Sequence, residues 1–290
     1  MLVGRRPDLT AGARRGLPGS FVELSAGVTH YELRGEAGGE NVVLIHGNAA
    51  PSVTWDRTIG DLSAAGFRVL RYDLFGHGSS DRPKLPTYDR HLYNAQLTEL
   101  LRALDISDPV LVVGTSQGGS IGACFASEHP GRVKKFALLA PFVDDLPSPR
   151  GLALRLVRTP VVGEALMGLM SDGKLADLSD AVVGTETTSL LASQVLEQFR
   201  FRGKRRAMLA NLRGDALRDA TACYRGVKEQ GIPVLLTWGD SDQKVSKESM
   251  ARLRDLMPGI EYHELGAAGH LAHYEFPERV NPLLVRFLAR

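Results

Sequence analysis

Residues 110–119 read VLVVGTSQGG, an apolar stretch that ends abruptly in the pattern Gly-x-Ser-x-Gly around Ser116. The run before the serine is typical of a buried β-strand, and the small residues after it indicate a helix that ends at Pro130. A chain that reverses sharply between strand and helix lifts the serine hydroxyl off the sheet, and the flanking glycines leave room for the turn. We therefore predict that Ser116 is a nucleophile at the tip of a tight strand-to-helix turn.

The composition is typical of a soluble globular protein. Of the 290 residues, 43% are hydrophobic and 23% charged, and the net charge of +2 is too small to indicate a nucleic-acid partner. Residues 1–18 carry several arginines with no apolar segment after them, which predicts a flexible tail rather than a secretory signal. No run reaches the roughly 18 apolar residues of a transmembrane helix, so we expect a cytoplasmic location.

The two cysteines, Cys124 and Cys223, belong to no CxxC pattern and to no Cys/His cluster. We interpret them as two buried thiols in a reducing compartment. The sequence also lacks an HExxH motif, a P-loop and a Gly-x-Gly-x-x-Gly motif after a strand. We therefore expect no metal and no cofactor.

Strand-like runs alternate with helical patterns from Phe21 almost to the end of the chain. This alternation predicts βα units on a mostly parallel sheet, opened by a hairpin. Helices are expected around 55–65, 88–104 and 246–257, and a last helix begins at Pro277. The predicted strands are 22–24, 28–33, 41–45, 67–72, 110–113, 133–139, 234–238 and 260–265.

One long stretch interrupts this alternation. Between Pro141 and Ile232 the chain has helical patches but no convincing strand. An insertion of this length between two strands indicates a functional cap rather than a loop. We predict a core formed by residues 19–141 and 232–290, with a helical cap of residues 142–231 inserted after strand 6.

A serine hydroxyl becomes an effective nucleophile only beside a base that a carboxylate orients. Of the eight histidines, His270 follows the last predicted strand in the glycine-bounded turn GAAGH, and we predict that it is the base. The loop after Trp238 offers two carboxylates, Asp240 and Asp242. Asp242 lies far enough along the loop to project over the sheet edge and is preferred, whereas Asp240 is placed to cap the turn.

The chain order Ser116, Asp242, His270 resembles that of the α/β-hydrolase fold superfamily, from about Phe21 to the last helix except for the cap. The resemblance implies an α/β fold with a mostly parallel eight-stranded sheet flanked by helices. Residues 239–245 match the family pattern Gly-x-x-Asp-x-x-Val, which favours Asp242 as the acid.

Acyl transfer also needs hydrogen-bond donors for an oxyanion, and one donor contributes about 3–4 kcal/mol. The backbone N–H of Gln117 is one expected donor because this residue opens the helix after the serine. The resemblance implies that the N–H of Asn48, in the sequence His46-Gly47-Asn48, is the other. Asn48 as a simple turn residue is the alternative, and His46 is interpreted as a brace for this loop.

Two further segments carry polar residues. Residues 72–83 resemble the loop that follows the fourth strand in lipases and esterases, where Asp73 and the glycines are structural, and we interpret His77 and Ser80 in the same way. A basic cluster in the predicted cap indicates a solvated helix face, with contact to an anionic membrane surface or an acidic substrate as the alternative. The cluster comprises Arg200, Arg202, Lys204, Arg205, Arg206 and Arg213.

The fold supports many activities, so the site must decide among them. Serine at position 116 disfavours dehalogenases and epoxide hydrolases, whose nucleophile is an aspartate. The resemblance implies a serine hydrolase of small-molecule carboxylic esters, of the lipase, monoacylglycerol lipase or carboxylesterase type, acting through an acyl-enzyme. The alternatives are a carbon–carbon bond hydrolase of ring-cleavage products, a cofactor-free lyase or oxygenase, and a ligand-binding receptor.

Overall fold

The computed structural model describes residues 6–48, 50–144, 151–177 and 185–290, without the side chains of 151–154, 176–177 and 185–190. The strands form one eight-stranded sheet. They are β1 Ser20–Leu24, β2 Gly27–Arg34, β3 Asn41–Ile45, β4 Arg68–Tyr72, β5 Val110–Thr115, β6 Val133–Leu139, β7 Val234–Gly239 and β8 Glu261–Leu265.

The order of strands across the sheet is β1-β2-β4-β3-β5-β6-β7-β8. β1 pairs antiparallel with β2, and β2 pairs antiparallel with β4, whereas every pair from β4 to β8 is parallel. The predicted hairpin and the mostly parallel sheet are therefore confirmed. Because parallel strands share one carboxyl edge, the loops after β3, β5, β7 and β8 meet there.

The helices that the apolar patterns predicted are present, with one difference, and the short helix Ala11–Arg14 lies in the segment that was expected to be a flexible tail. The segment around Trp55 is a short 3₁₀ turn, Ser52–Trp55, followed by a separate helix. The α-helices are α1 Ala11–Arg14, α2 Ile59–Ala64, α3 Arg90–Ala103, α4 Gln117–Glu128, α5 Gly151–Arg158, α6 Val162–Leu169, α7 Asp172–Asp177, α8 Thr185–Glu197, α9 Lys204–Arg213, α10 Thr221–Glu229, α11 Lys247–Leu256, α12 Ala272–Glu275 and α13 Pro277–Ala289.

The sheet is buried on both faces. Alternate residues of the central strand β5 enter two different apolar clusters, Val110 and Val112 on one face and Leu111 and Val113 on the other. The first face is covered by α3, α4, α10 and α11, and the second by α2 and α13. Two-sided burial explains why the parallel strands read as continuous apolar runs rather than as alternating ones.

The helices between β6 and β7 form the cap, and no described residue of this segment lies in a strand. α5 to α9 surround a separate apolar cluster, to which Ala50, Leu271 and Tyr274 from outside the cap also contribute. α10 falls within the predicted cap range, yet its buried Tyr224 and Val227 belong to the core cluster that α4 also joins. Ala207 and Ala210 of α9 also belong to that core cluster, so in the described structure the helices that pack away from it end before α9.

The expectation of two free thiols is wrong, because Cys124 on α4 and Cys223 on α10 form a disulfide. The two helices pack side by side and bring the Cα atoms to 4.6 Å, although 99 residues separate the cysteines in sequence. Spacing in the sequence carries no sign of such a long-range contact. Disulfides are rare in reducing compartments, so this disulfide does not favour a cytoplasmic location. The cytoplasmic location stays a prediction.

The described part of the expected tail, residues 6–18, contacts the rest of the molecule. Arg14 is buried and pairs with Asp81 at 2.6 Å, and Arg6 pairs with Asp172 of the cap at 2.7 Å. Within the described ranges, no helix is long and apolar enough to cross a membrane. The same residues include no group of three or more His, Cys, Asp or Glu side chains placed to hold a metal ion.

Candidate active site

Ser116 lies at the turn between β5 and α4, with φ +52° and ψ −122°. A positive φ is uncommon for a residue other than glycine and marks a strained turn. The glycines around it are needed for close approach: a Cβ on Gly118 would lie 2.1 Å from the carbonyl oxygen of Ile45, and one on Gly114 would lie 2.6 Å from that of Gly118. The sharp turn predicted from Gly-x-Ser-x-Gly is present.

Backbone hydrogen bonds hold this turn against the neighbouring strand. The N–H of Ser116 donates to the carbonyl of Leu139 at 3.1 Å, and the carbonyl of Ser116 accepts from the N–H groups of Gly119 and Phe142, both at 3.0 Å. The serine is almost entirely buried, with 9% of its surface exposed. These backbone bonds therefore hold Ser116 in position at the turn.

His270 and Asp242 come together at the carboxyl edge of the sheet, with 2.8 Å between Nδ1 and Oδ2. The other carboxylate oxygen of Asp242 accepts from the N–H groups of Lys244 and Val245, at 2.7 and 3.0 Å. A carboxylate bonded to Nδ1 assigns the proton of a neutral imidazole to that nitrogen and leaves Nε2 free to accept a proton. Both side chains are buried.

Asp240, the other predicted acid candidate, does not reach His270 in this way. Its carboxylate is exposed and accepts from the N–H of Ala267 at 2.8 Å and from the hydroxyl of Ser241 at 3.0 Å. The bond from Ala267 joins the loop after β8 to the loop after β7, which contains Asp240. The geometry therefore pairs Asp242 with His270 and gives Asp240 the turn-capping position.

The loop after β3 passes directly beside the serine. A Cβ on Gly47 would lie 3.0 Å from the Cβ of Ser116 and 3.5 Å from its Oγ. Gln117 is the first residue of α4, so its N–H has no carbonyl partner within the helix. The structure thus brings the segments of both predicted oxyanion donors, Asn48 and Gln117, to Ser116.

Two buried histidines support that loop. Nε2 of His46 accepts from the N–H of Leu74 at 2.9 Å, and its Nδ1 bonds to the carbonyl of Gly47 at 2.7 Å. Burial lowers the pKa of His46 to about 4, so the neutral ring persists well below pH 6.5. Nε2 of His77 bonds to the carbonyl of Asn48 at 2.7 Å. Both rings brace the loop, as the sequence suggested.

Asp73 anchors the adjoining loop. Its carboxylate accepts from the N–H groups of Ser52 and Ser79, at 2.9 and 2.8 Å, and bonds to Nδ1 of His30 at 2.8 Å. Burial by itself raises the pKa of Asp73, but the bonds from His30 and Ser52 outweigh it and hold that pKa below its usual range. The hydroxyl of Ser80 donates to the Asp73 carbonyl at 2.6 Å. These residues are structural.

The basic cluster of the cap is largely neutralised. Four of its six members pair with carboxylates, whereas the Arg206 guanidinium donates to the carbonyl of Arg82. Lys204 is buried, bonds to the carbonyl of Gly76 and to Gln198, and has its pKa lowered by that burial. The four ion pairs are Arg200–Glu197, Arg202–Asp8, Arg205–Asp172 and Arg213–Glu164.

The interior of the cap is apolar and continues into the catalytic edge. A single cluster of buried side chains includes cap residues, Ala50 from the loop after β3, and two residues that follow His270. Such a wall binds apolar parts of a substrate better than charged ones. The cluster comprises Ala50, Met167, Leu175, Leu191, Val195, Phe199, Leu209, Leu271 and Tyr274.

No pattern in the sequence indicated Asn211, a buried residue of the cap helix α9. Its side-chain amide bonds to the side chains of Asn48 and Gln117, the two predicted oxyanion residues. No motif surrounds it, and a lone asparagine in a basic helix resembles a surface residue. Only the packing of α9 against the core reveals the contact.

Comparison with known proteins supports the assignment of the fold. The model of the alpha/beta hydrolase family matches residues 42–283, most of the chain. The chain belongs to the alpha/beta hydrolase family. The matched residues include Ser116, Asp242 and His270. The family match and the similarity to named hydrolases together show that the protein is a hydrolase.

The hydrolase has curated relatives of similar length. It is 31% identical over 279 residues to a 2-hydroxy-6-oxononadienedioate/2-hydroxy-6-oxononatrienedioate hydrolase of Paraburkholderia xenovorans, with 90% of each chain covered. Among solved structures, an enol-lactonase from Burkholderia xenovorans shares the fold, with a TM-score of 0.76 and 24% identity over 93% of this chain and 100% of that one.

A second solved structure is more similar in sequence. A variant of the meta-cleavage product hydrolase CumD has 25% identity and a TM-score of 0.68, covering 93% of this chain and 98% of that one. These three proteins are named as a dienedioate hydrolase, an enol-lactonase and a meta-cleavage product hydrolase, and none of the three as a lipase or carboxylesterase. The predicted lipase and carboxylesterase subtypes therefore stay predictions.

Proposed function

We propose that this hydrolase cleaves a carbon–carbon bond next to a carbonyl group in a conjugated, ring-cleavage type of acid. The observation that carries the proposal is the similarity of about 30% over 90% of the chain to hydrolases named for 2-hydroxy-6-oxo dienedioates. This was the alternative interpretation of the sequence, and the comparisons favour it over ester hydrolysis. The arrangement of the site fits the chemistry.

The proposed reaction begins at Ser116. Nε2 of His270 removes the proton from the serine hydroxyl, whose oxygen attacks the carbonyl carbon, while Asp242 stabilises the imidazolium that forms. The N–H groups of Asn48 and Gln117 bind the oxyanion. His270 then protonates the leaving group, and water hydrolyses the acyl-enzyme by the same steps in reverse.

Carbon–carbon cleavage adds one requirement, because the leaving group is a carbanion rather than an alkoxide. A 2-hydroxydienoate that has first tautomerised, with its hydroxyl proton moved to the carbon next to the 6-oxo group, delocalises this charge into the conjugated 2-keto group. The substrate itself therefore stabilises the leaving carbanion. The same serine, histidine and oxyanion donors therefore suit the hydrolysis of an ester bond and the hydrolysis of a carbon–carbon bond next to a carbonyl group. The choice between them depends on how the cap binds the rest of the substrate.

Hydrolysis of a carboxylic ester or lactone is the second candidate. The apolar cap cluster fits an acyl chain, and four cap residues that had been considered for binding a substrate carboxylate are instead paired with Glu or Asp. Lys204 of the same basic cluster is buried and bonds to neutral oxygens.

The two candidates are separated by measuring kcat/KM on a 2-hydroxy-6-oxo dienoate, whose absorbance is lost on cleavage, and on p-nitrophenyl esters of two to twelve carbons. We expect dienoate turnover to exceed ester turnover and both to disappear in Ser116→Ala. Ser80→Ala is the matched control, because it removes another buried serine hydroxyl outside the site. Ester turnover without dienoate turnover would reverse the order of the candidates, and activity in Ser116→Ala would contradict both.

A further inference from the structure

Asn211 is buried in the contact between the cap and the core, with 1% of its surface exposed. A side-chain amide has two donor hydrogens and two acceptor positions, and all four are used. Nδ2 donates to Oδ1 of Asn48 at 2.6 Å and to Oε1 of Gln117 at 3.1 Å. Oδ1 accepts from Nε2 of Gln117 at 2.9 Å and from the hydroxyl of Tyr93 at 3.1 Å. A polar group so placed is a fixed part of the packing.

Two partners of Asn211, Asn48 and Gln117, lie at the proposed oxyanion hole. Asn48 follows β3 and Gln117 follows β5, and both contribute a proposed oxyanion donor. An oxyanion hole works only when its donors already point to where the charge develops. One amide on the cap helix α9 therefore connects the two loops whose relative orientation matters most for the reaction.

The two loops differ in how much they depend on this contact. Gln117 begins α4, and the backbone bonds of Ser116 and Gly119 hold its peptide group regardless of its side chain. Asn48 lies in an irregular loop. The peptide that carries its N–H is bonded through the carbonyl of Gly47 to Nδ1 of His46, and its side chain accepts from Nδ2 of Asn211. Loss of the Asn211 amide therefore affects the orientation of Asn48 more than that of Gln117.

We infer that Asn211 is a positioning residue, which orients the backbone N–H of Asn48 through its side chain and so makes the oxyanion hole depend on the docking of the cap. The cap helix is held in place independently of this amide, since the carbonyl of Ala210 accepts from the N–H of Tyr88 at 2.8 Å and Lys204 bonds to Gly76. The inference rests on the proposed function, because it assigns a role within the same site.

The test compares Asn211→Ala with Asn281→Ala. Asn281 is an equally buried asparagine, which donates to the carbonyl of Arg57 at 2.7 Å and to Asp61 at 2.6 Å, on the opposite face of the sheet. We expect similar losses of thermal stability in both variants. Only Asn211→Ala should lower kcat, by about 10- to 100-fold, with KM changed less than about threefold, since loss of a whole donor costs about 100- to 1000-fold.

A second readout does not depend on knowing the substrate. The rate at which a fluorophosphonate modifies Ser116 and the affinity for a trifluoromethyl ketone both require a formed oxyanion hole. Both should fall in parallel with kcat in Asn211→Ala and stay unchanged in Asn281→Ala. If the wild-type protein shows no Ser116 modification and no Ser116-dependent turnover, the proposed function fails; if both are present but equal in the two variants, only the inference about Asn211 fails.

A double-mutant cycle identifies the route of the effect. Asn48→Ala removes the side-chain partner of Asn211 and keeps the backbone N–H. If Asn211 acts through that side chain, the double variant Asn48→Ala/Asn211→Ala should lose no more modification rate than the stronger single variant. Losses that multiply would show that Asn211 acts elsewhere and would overturn the inference. Asn211→Ser, which keeps one donor, should recover part of the rate.

Discussion

The carboxyl edge of the sheet and the cap above it use polar residues in opposite ways. At the edge, buried groups such as Asp242 and His270 bond to one another across loops, and their backbone neighbours fill the remaining bonds. In the cap, charged groups such as Arg213 and Glu164 pair at the surface, and the helices enclose an apolar cluster. On the proposed function, the edge carries out the chemistry, whereas the cap shapes the substrate site and acts on the reaction through Asn211.

The largest effect is expected for Asp242, the proposed acid at the carboxyl edge of the sheet. Asp242→Asn should lower kcat by about 10⁴-fold, because an amide at this position no longer fixes the tautomer of His270 or stabilises its protonated form. Asp240→Asn, two residues earlier and bonded to the N–H of Ala267, should stay within about threefold of wild type. The measurement is kcat of the three proteins on one substrate. Equal losses in the two variants would contradict the assignment of the acid.

The disulfide should affect stability rather than chemistry. Removing it in Cys124→Ala/Cys223→Ala releases a cross-link between residues 99 positions apart, which should lower the free energy of unfolding by about 3–5 kcal/mol. Neither sulfur belongs to the edge, so kcat of the folded variant should stay near wild type. Urea unfolding with and without reductant measures the first effect. Two titratable thiols in the denatured, unreduced wild type would show that the bridge does not form.

Low pH should weaken the support that His46 gives to the loop after β3. Burial lowers the pKa of His46 to about 4 from its ordinary value of 6.5, so between these values the unfolded chain binds a proton that the folded one excludes. The stability from this group is complete above pH 6.5 and is lost as the pH falls toward 4, by about 3 kcal/mol. His46→Gln should flatten the decline in unfolding free energy over that interval. An equally steep decline in the variant would locate the acid sensitivity elsewhere.

The smallest effects are expected in the cap. Arg213→Gln breaks a surface pair with Glu164 and should change the free energy of unfolding by less than about 1 kcal/mol and kcat/KM by less than about twofold. Cosedimentation with vesicles of anionic lipid should stay at background for both proteins, because the pair already neutralises this charge. A large loss of dienoate turnover would show that Arg213 leaves its partner to bind substrate. Salt-sensitive vesicle binding would restore the membrane interpretation.

The residues of the edge were predictable to different degrees, and the reason is distance along the chain. Ser116 and Gln117 belong to one local pattern in which strand, glycines and helix specify each other. Asp242 and His270 each follow a strand, so the parallel topology brings them to the same edge. Asp242 was preferred over Asp240 from its place along the loop, and the family pattern supported that choice, whereas the involvement of Asn48 came from the resemblance alone.

What the sequence could not reveal depends on contacts between distant segments. The disulfide joins helices 99 residues apart, and Asn211 meets Asn48 across 163 positions. Neither contact leaves a periodicity or spacing to detect. The neutralised charges of the cap were missed for the same reason, since Asp172 and Glu164 come from other helices than the arginines they pair with.

The central claim is that Ser116 is the nucleophile at this edge, and covalent labelling tests it most directly. Wild-type protein treated with a fluorophosphonate should gain one adduct, located by peptide mass spectrometry on Ser116, and should lose its turnover in proportion to the labelled fraction. His270→Ala should slow the labelling strongly. An adduct on another residue, or full turnover by protein that is fully labelled at Ser116, would contradict the account.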